Sequence, residues 1–169
     1  MQITSDQEYV RRVRFRKTMG KWLLGICLVF MFLWGISPWV KFSYNATESL
    51  DGALFIIFKN AKIHKGDKMA FWPPENRFYK YGFFVKYAAG IEGDVITVTD
   101  KTFFIDEEFL GVAETITRTG EELVASEGGT IPAKYYFAWT PHKRSFDSRY
   151  VDIGLIHEDN IIGRAYRIF

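Results

Sequence analysis

Cysteine is all but absent: Cys27 is the only one in 169 residues, so no internal disulfide can form and the folded part must be held by its core. Histidine is nearly as scarce. His64, His142 and His157 are scattered without metal-ligand spacing, and without cysteines to complete a site neither a metal nor a cofactor is expected. An excess of one charge is missing too, since the net charge is +2. The sequence pI near 8.6 owes much to the N-terminal arm, so nucleic-acid binding gains little support. There is no internal repeat and no low-complexity tract. What the chain does have is 48% hydrophobic and 18% aromatic residues, enough for a real core and too much for a disordered adaptor.

Residues 22–40, WLLGICLVFMFLWGISPWV, carry no charge, and as a helix they would span roughly 28 Å, one bilayer crossing. Trp22 and Trp39 stand at the two ends, where amphipathic rings favour the headgroup region. Arg11, Arg12, Arg14, Arg16, Lys17 and Lys21 precede the segment and Lys41 follows it almost alone, which places the N-terminus in the cytoplasm. A cleavable signal peptide competes with this reading, but the run is long and no clean Ala-x-Ala site follows it. The expected organisation is a basic arm over 1–21, a membrane anchor over 22–40 and one exported domain over 41–169.

In the exported part, 41–52 reads as a polar loop. After it come runs of strand length rich in aromatic and β-branched residues, at 53–58, 68–72, 81–87, 95–98, 102–105, 135–139 and 161–168. Turn signals such as Lys65-Gly66-Asp67, Glu92-Gly93-Asp94 and Gly128-Gly129 separate them. The domain is expected to be mainly β, with 111–126 open between a helical turn and a surface loop.

A serine hydroxyl needs a base to take its proton, and a lysine can be that base only where burial lowers its pKa. In Phe83-Phe84-Val85-Lys86-Tyr87-Ala88-Ala89, strand alternation puts Lys86 on one face with Phe84 and Ala88, inside an apolar run. On residue chemistry alone, an edge-strand lysine reaching for water is the plainer reading. Ser49 is one of seven serines and sits beside Asp51-Gly52, where a loop serine is ordinarily a turn or cap residue. Its closeness to the apolar segment, however, would hold it near the membrane surface. Ser145-Phe146-Asp147-Ser148-Arg149-Tyr150 alternates hydroxyls and charges, and by itself reads as a polar turn with an Asp147–Arg149 pair.

In this order the elements resemble the type I signal peptidase family, and within it the TraF-type peptidases of conjugation systems. The S-x-D-S-R-Y box at 145–150 and the lysine box Val85-Lys86-Tyr87-Ala88-Ala89-Gly90-Ile91-Glu92-Gly93-Asp94 carry the resemblance, supported by Lys65-Gly66-Asp67 and by 131–137. It implies a signal-peptidase-like β catalytic domain behind one transmembrane helix, with Ser49 as nucleophile and Lys86 as general base. It also implies that Ser145 orients the lysine, that Thr47 helps the Ser49 N–H bind the oxyanion, and that Asp147 and Arg149 form a supporting ion pair. The chain departs from the common S-M-x-P with Ser49-Leu50-Asp51-Gly52, and has Thr140-Pro141-His142 where G-D-N is usual. His142 thereby becomes a candidate for contact with substrate or with the site residues, although a plain loop histidine is the simpler reading, since no partner can be read locally.

The implied partners are an exported precursor, with a conjugative pilin first in line, inner-membrane lipid and, as an option, components of a secretion apparatus. The implied location is the bacterial inner membrane with the domain in the periplasm. Pilin maturation is the favoured function, with joining of the pilin's ends open beside a simpler linear product, and housekeeping removal of secretory signal peptides is the alternative within the family. Of another class is a non-catalytic membrane scaffold of a secretion apparatus, which the matched Ser49, Lys86 and Ser145 argue against. A LexA-like self-cleaving protein and a Ser–His–Asp site built from Ser49, His142 and Asp147 are further rivals.

Overall fold

The structure, a computed structural model, describes residues 3–44, 50–79 and 81–169. The chain divides into two compact units, Met1–Pro38 and Trp39–Phe169. The first holds one long helix, α1 (Ile3–Ile36), which takes in both the basic arm and most of the apolar segment. Trp22, Leu24, Phe30, Phe32 and Trp34 are all exposed around it. A helix apolar on every side has no core of its own to face, and its length and composition suffice to cross a membrane.

In the second unit the described residues form two antiparallel sheets. Seven strands lie in the order β1 (Val40–Tyr44), β2 (Leu54–Lys59), β11 (Ile161–Arg167), β3 (Lys68–Phe71), β4 (Phe84–Gly90), β9 (Tyr135–Trp139) and β10 (Ile156–His157). Four lie in the order β7 (Glu108–Val112), β6 (Thr102–Ile105), β5 (Val95–Thr99) and β8 (Gly129–Thr130). The expectation of a mainly β domain behind one apolar helix is met.

The expected strands are all present, with ends shifted by a few residues: β4 begins at Phe84 rather than 81 and runs on to Gly90. Two readings need correcting. Val40 opens β1 rather than closing the anchor, and 41–44 are strand rather than loop, paired with β2 from Val40↔Phe58 to Tyr44↔Leu54. The reason is the pattern Val40-Lys41-Phe42-Ser43-Tyr44, which alternates with period two and so suits a sheet edge. The open segment 111–126 contains no helix; isolated bridges Ile116↔Glu122 and Ala125↔Tyr150 fold it into a loop across the domain.

β5, β6 and β7 are joined by two-residue turns, Asp100-Lys101 (φ 49° and 63°) and Asp106-Glu107 (φ 47° and 71°). Positive φ at both central residues gives the twist that hairpins favour. Lys65 ties this small sheet down, its Nζ lying 2.8 Å from Asp94 Oδ2 and 2.7 Å from Asp106 Oδ2. Buried side chains gather in three clusters. One, around Phe103, Ile105 and Phe137, lies against the small sheet. A second, around Met69, Phe71 and Ile156, lies along β3. A third, around Phe55, Ile57 and Ala165, includes Leu50.

At the centre of the large sheet β11 bulges between Ile161 and Gly163 where it pairs with β3. A Cβ on Gly163 would stand 2.0 Å from the Phe58 carbonyl oxygen of β2, a main-chain contact that no rotamer relieves. Gly163→Ala is therefore expected to destabilise the domain by roughly 3 kcal/mol or more, measured as a lower urea midpoint against an unchanged slope.

Candidate active site

Lys86 sits in the middle of β4, opposite Met69 of β3, with its side chain on the inward face shared by Ala88. It is 5% exposed. Its Nζ donates to Ser145 Oγ at 2.8 Å and lies 5.7 Å from the centre of the Phe84 ring. Burial pushes its pKa from the ordinary 10.5 down to about 8; the Asp147 carboxylate opposes that shift and the Arg149 guanidinium adds to it. At neutral pH a measurable fraction is then the free amine that a base must be. The edge-strand reading of this lysine is ruled out, because β4 lies between β3 and β9.

Ser145 stands in the turn after β9, its N–H bonded to the His142 carbonyl at 3.0 Å. Behind it Asp147 and Arg149 are both buried. Arg149 Nε donates to Asp147 Oδ1 at 2.9 Å and Nη2 to Oδ2 at 3.0 Å, a two-pronged match of guanidinium to carboxylate. Arg149 Nη1 also donates to the Val112 carbonyl at 3.2 Å, and the second N–H of Nη2 is shared between the carbonyls of His142 and Ser145, both at 3.3 Å. Burial works against the Arg149 charge, and Asp147 outweighs it, so its pKa is raised.

The structure thus brings Lys86, Ser145, Asp147 and Arg149 together, whereas Thr47 and Ser49 lie outside the described residues. The segment that follows Ser49 is described. Leu50 is buried in the cluster with Phe55 and Ile57, Asp51 pairs with Arg167, and the Ala53 N–H donates to the Phe169 main-chain oxygen at 2.7 Å. Between them Gly52 has φ 120°, which proline, fixed near −65°, cannot adopt. A Cβ there would also come 2.7 Å from Arg167 Cδ. The missing proline of the S-M-x-P pattern is explained by this packing.

His142 is tied into the turn before Ser145. Its carbonyl accepts from Arg149, and its ring Nδ1 accepts from the Arg144 N–H at 3.2 Å, while both oxygens of Asp147 are engaged by Arg149. An Asp147–His142 relay has no support in this geometry. Ser148, which the sequence left without a task, fastens the box to β9: its Oγ accepts from the Ala138 N–H at 2.9 Å, and its own N–H donates to the Ala138 carbonyl at 2.9 Å. Phe146 also went unassigned, and it stacks between Tyr79 and Tyr150. The only signal for either was membership in the box.

A buried amine held on a serine hydroxyl, in a mainly β domain behind an apolar helix, defines the class of the site: a buried lysine whose charged form is disfavoured. The chain belongs to the signal peptidase family, peptidase S26, whose model matches residues 12–169. It is a signal peptidase I-like serine peptidase, and members of this family act on exported precursor proteins and are membrane-associated, which α1 fits as an anchor. Among solved structures, a signal peptidase I from Enterococcus faecalis aligns with 61% of this chain and 96% of its own, at 22% identity and a TM-score of 0.42. No curated protein gives a significant match.

The lysine leaves a mark on stability. Between about pH 8 and 10.5 the unfolded chain keeps the Lys86 proton and the folded chain has released it, so stability rises with pH across that window. The full shift corresponds to about 3 kcal/mol. Lys86→Met should lack this rise, and its stability advantage over wild type should shrink by that order as pH goes from 7 to 10.5, measured by urea unfolding at each pH.

Proposed function

We propose that this chain is a Ser–Lys endopeptidase in which Ser49 is the nucleophile and Lys86 the general base. The observation that carries the reading is the buried Lys86 amine held 2.8 Å from Ser145 Oγ, with its pKa lowered to about 8. Neutral Lys86 takes the Ser49 proton as the hydroxyl attacks the substrate carbonyl. The Ser49 N–H and Thr47 stabilise the oxyanion. The Lys86 ammonium then protonates the leaving amine, and once neutral again it activates the molecule that attacks the acyl-enzyme. Ser145 holds Nζ through its Oγ, and Asp147 with Arg149 holds Ser145 through its carbonyl.

The excess of Arg and Lys before the apolar segment supports a cytoplasmic N-terminus and a catalytic domain on the periplasmic face of a bacterial inner membrane. The substrate in this reading is an exported precursor. The reading of pilin maturation rests on the TraF-like departure Ser49-Leu50-Asp51-Gly52 from S-M-x-P; family membership is equally consistent with removal of secretory signal peptides. If the substrate is a pilin, its own N-terminal amine can intercept the acyl-enzyme, since tethering raises that amine's effective concentration.

Ser49→Ala and Lys86→Ala should each lower processing on the order of 10³-fold or more while the folded domain persists. Wild-type rates in either variant, in cells lacking another peptidase, would reject the dyad. With chemistry rate-limiting, kcat should climb through pH of about 8 and level off above it, because only the deprotonated lysine works. Mass spectrometry of the product then separates the outcomes. A processed pilin lighter by one water than the linear form, and dependent on Ser49, shows ring closure; a pilin with free termini shows hydrolysis.

A further inference from the structure

The uncharged part of α1 is shorter than the uncharged run of the sequence. It extends from Trp22 to Ile36, roughly 22 Å as helix, because the chain turns at 37–39 and enters β1 at Val40. The hydrocarbon layer of a bilayer is about 30 Å thick. We propose that the basic turns of α1 just before Trp22 are drawn to the membrane surface by this shortfall and bind the headgroups of anionic phospholipids. The proposal rests on α1 crossing the membrane and not on the Ser–Lys chemistry.

The missing thickness has to come from the N-terminal side. β1 stands at the end of the large sheet's strand order, and an open sheet edge does not enter hydrocarbon, where its unpaired N–H and C=O groups would find no partner. α1, by contrast, continues without a break from Trp22 back to Ile3, so its main chain there is already bonded within the helix. About 8 Å more is roughly five further residues. That brings Lys21 into the outer hydrocarbon, where its stem can lie along lipid while the ammonium reaches outward. Lys17, Arg16 and Arg14 then stand at headgroup level.

Charge and shape point to lipid as the partner. Arg11, Arg12, Arg14, Arg16, Lys17 and Lys21 are all exposed, and no acidic residue occurs between Glu8 and Glu48 to offset them. On a helix of 3.6 residues per turn these six are spread around the whole circumference, with no gap wider than about 100°. A ring of that kind suits a layer of phosphates on every side, whereas a protein docked on one face would leave half of it unused. Phe15 and Met19 stand exposed among the cations, at 64% and 46%, and such a mixture fits the boundary between headgroups and acyl chains. Each cation near the surface favours an anionic headgroup about five-fold.

The full chain is reconstituted in phosphatidylcholine vesicles with a trace of spin-labelled phosphatidylglycerol or spin-labelled phosphatidylcholine, and electron paramagnetic resonance gives the fraction of each label held at the protein. Wild type should hold phosphatidylglycerol about five-fold more strongly at low salt, and the preference should drop below about two-fold in roughly 1 M NaCl, where exposed charges are screened. Arg14→Gln, Arg16→Gln, Lys17→Gln and Lys21→Gln combined should bring the same drop at low salt, and Lys41→Gln, beyond the other end of the anchor, should not. A wild-type preference near one, or one that survives the combined substitutions, overturns the headgroup site. Symmetric vesicles present both leaflets alike, so a changed direction of insertion cannot imitate the result. Alkaline extraction of the same vesicles tests the premise separately: wild-type protein released by it rejects α1 as an anchor and the proposal with it, whereas retained protein with a preference near one rejects the proposal alone.

Discussion

Asp147 and Arg149 bury two full charges side by side, and most of the site hangs from that pair. Taking both ions out of water is costly, and the cost is offset only where geometry and further hydrogen bonds are close to complete. Here the carboxylate is met by two N–H groups of the guanidinium, and Nη1 and Nη2 also reach the carbonyls of Val112, His142 and Ser145. A single side chain thereby ties the end of β7, in the small sheet, to the turn that positions Ser145. Removing either partner would leave an uncompensated buried charge, so the arrangement holds as a unit.

The same pair explains why Lys86 can be neutral. A lone buried carboxylate near an amine would hold the proton on it. Asp147 does pull in that direction, but Arg149 pulls the other way, and burial is left as the dominant influence. Local neutrality of the ion pair thus lets desolvation set the lysine. Phe84 and Ala88 on the same face supply the apolar surroundings, and that much was legible in the sequence, where Lys86 is the sole charge in an aromatic run.

Other parts of the fold were legible to different degrees, for physical reasons. Strands such as β2, β3 and β9 are short apolar runs bounded by turn residues, and they stand where the runs stand. β1 escaped notice because its alternating Phe42 and Tyr44 follow directly on an apolar segment and merge with it. β7 escaped because the turn before it, Asp106-Glu107, adopts the left-handed backbone without the Asn-Gly or Asp-Gly that usually announces it. The contact between Lys86 and Ser145 spans 59 residues, and no local pattern could predict it. Only the resemblance of two boxes brought them together. Gly52 is the reverse case: its departure from the related pattern was visible at once, but its cause, the close approach of Arg167 and Phe169, exists only in three dimensions.

Energetics separate an enzyme from an idle scaffold with the same fold. A protein selected only to hold neighbours together gains nothing from a lysine whose pKa burial pushes down to about 8. At neutral pH that burial costs the fold about 3 kcal/mol, a sizeable part of the 5–15 kcal/mol by which domains are ordinarily stable. Leucine or methionine at position 86 would pack β4 without that penalty, and the Asp147–Arg149 pair would need no neighbour to balance. Strain and unfavourable burial persist where function requires them. The expense of Lys86, with a serine hydroxyl placed on its amine and an ion pair built behind that serine, is what a peptidase needs and a scaffold does not.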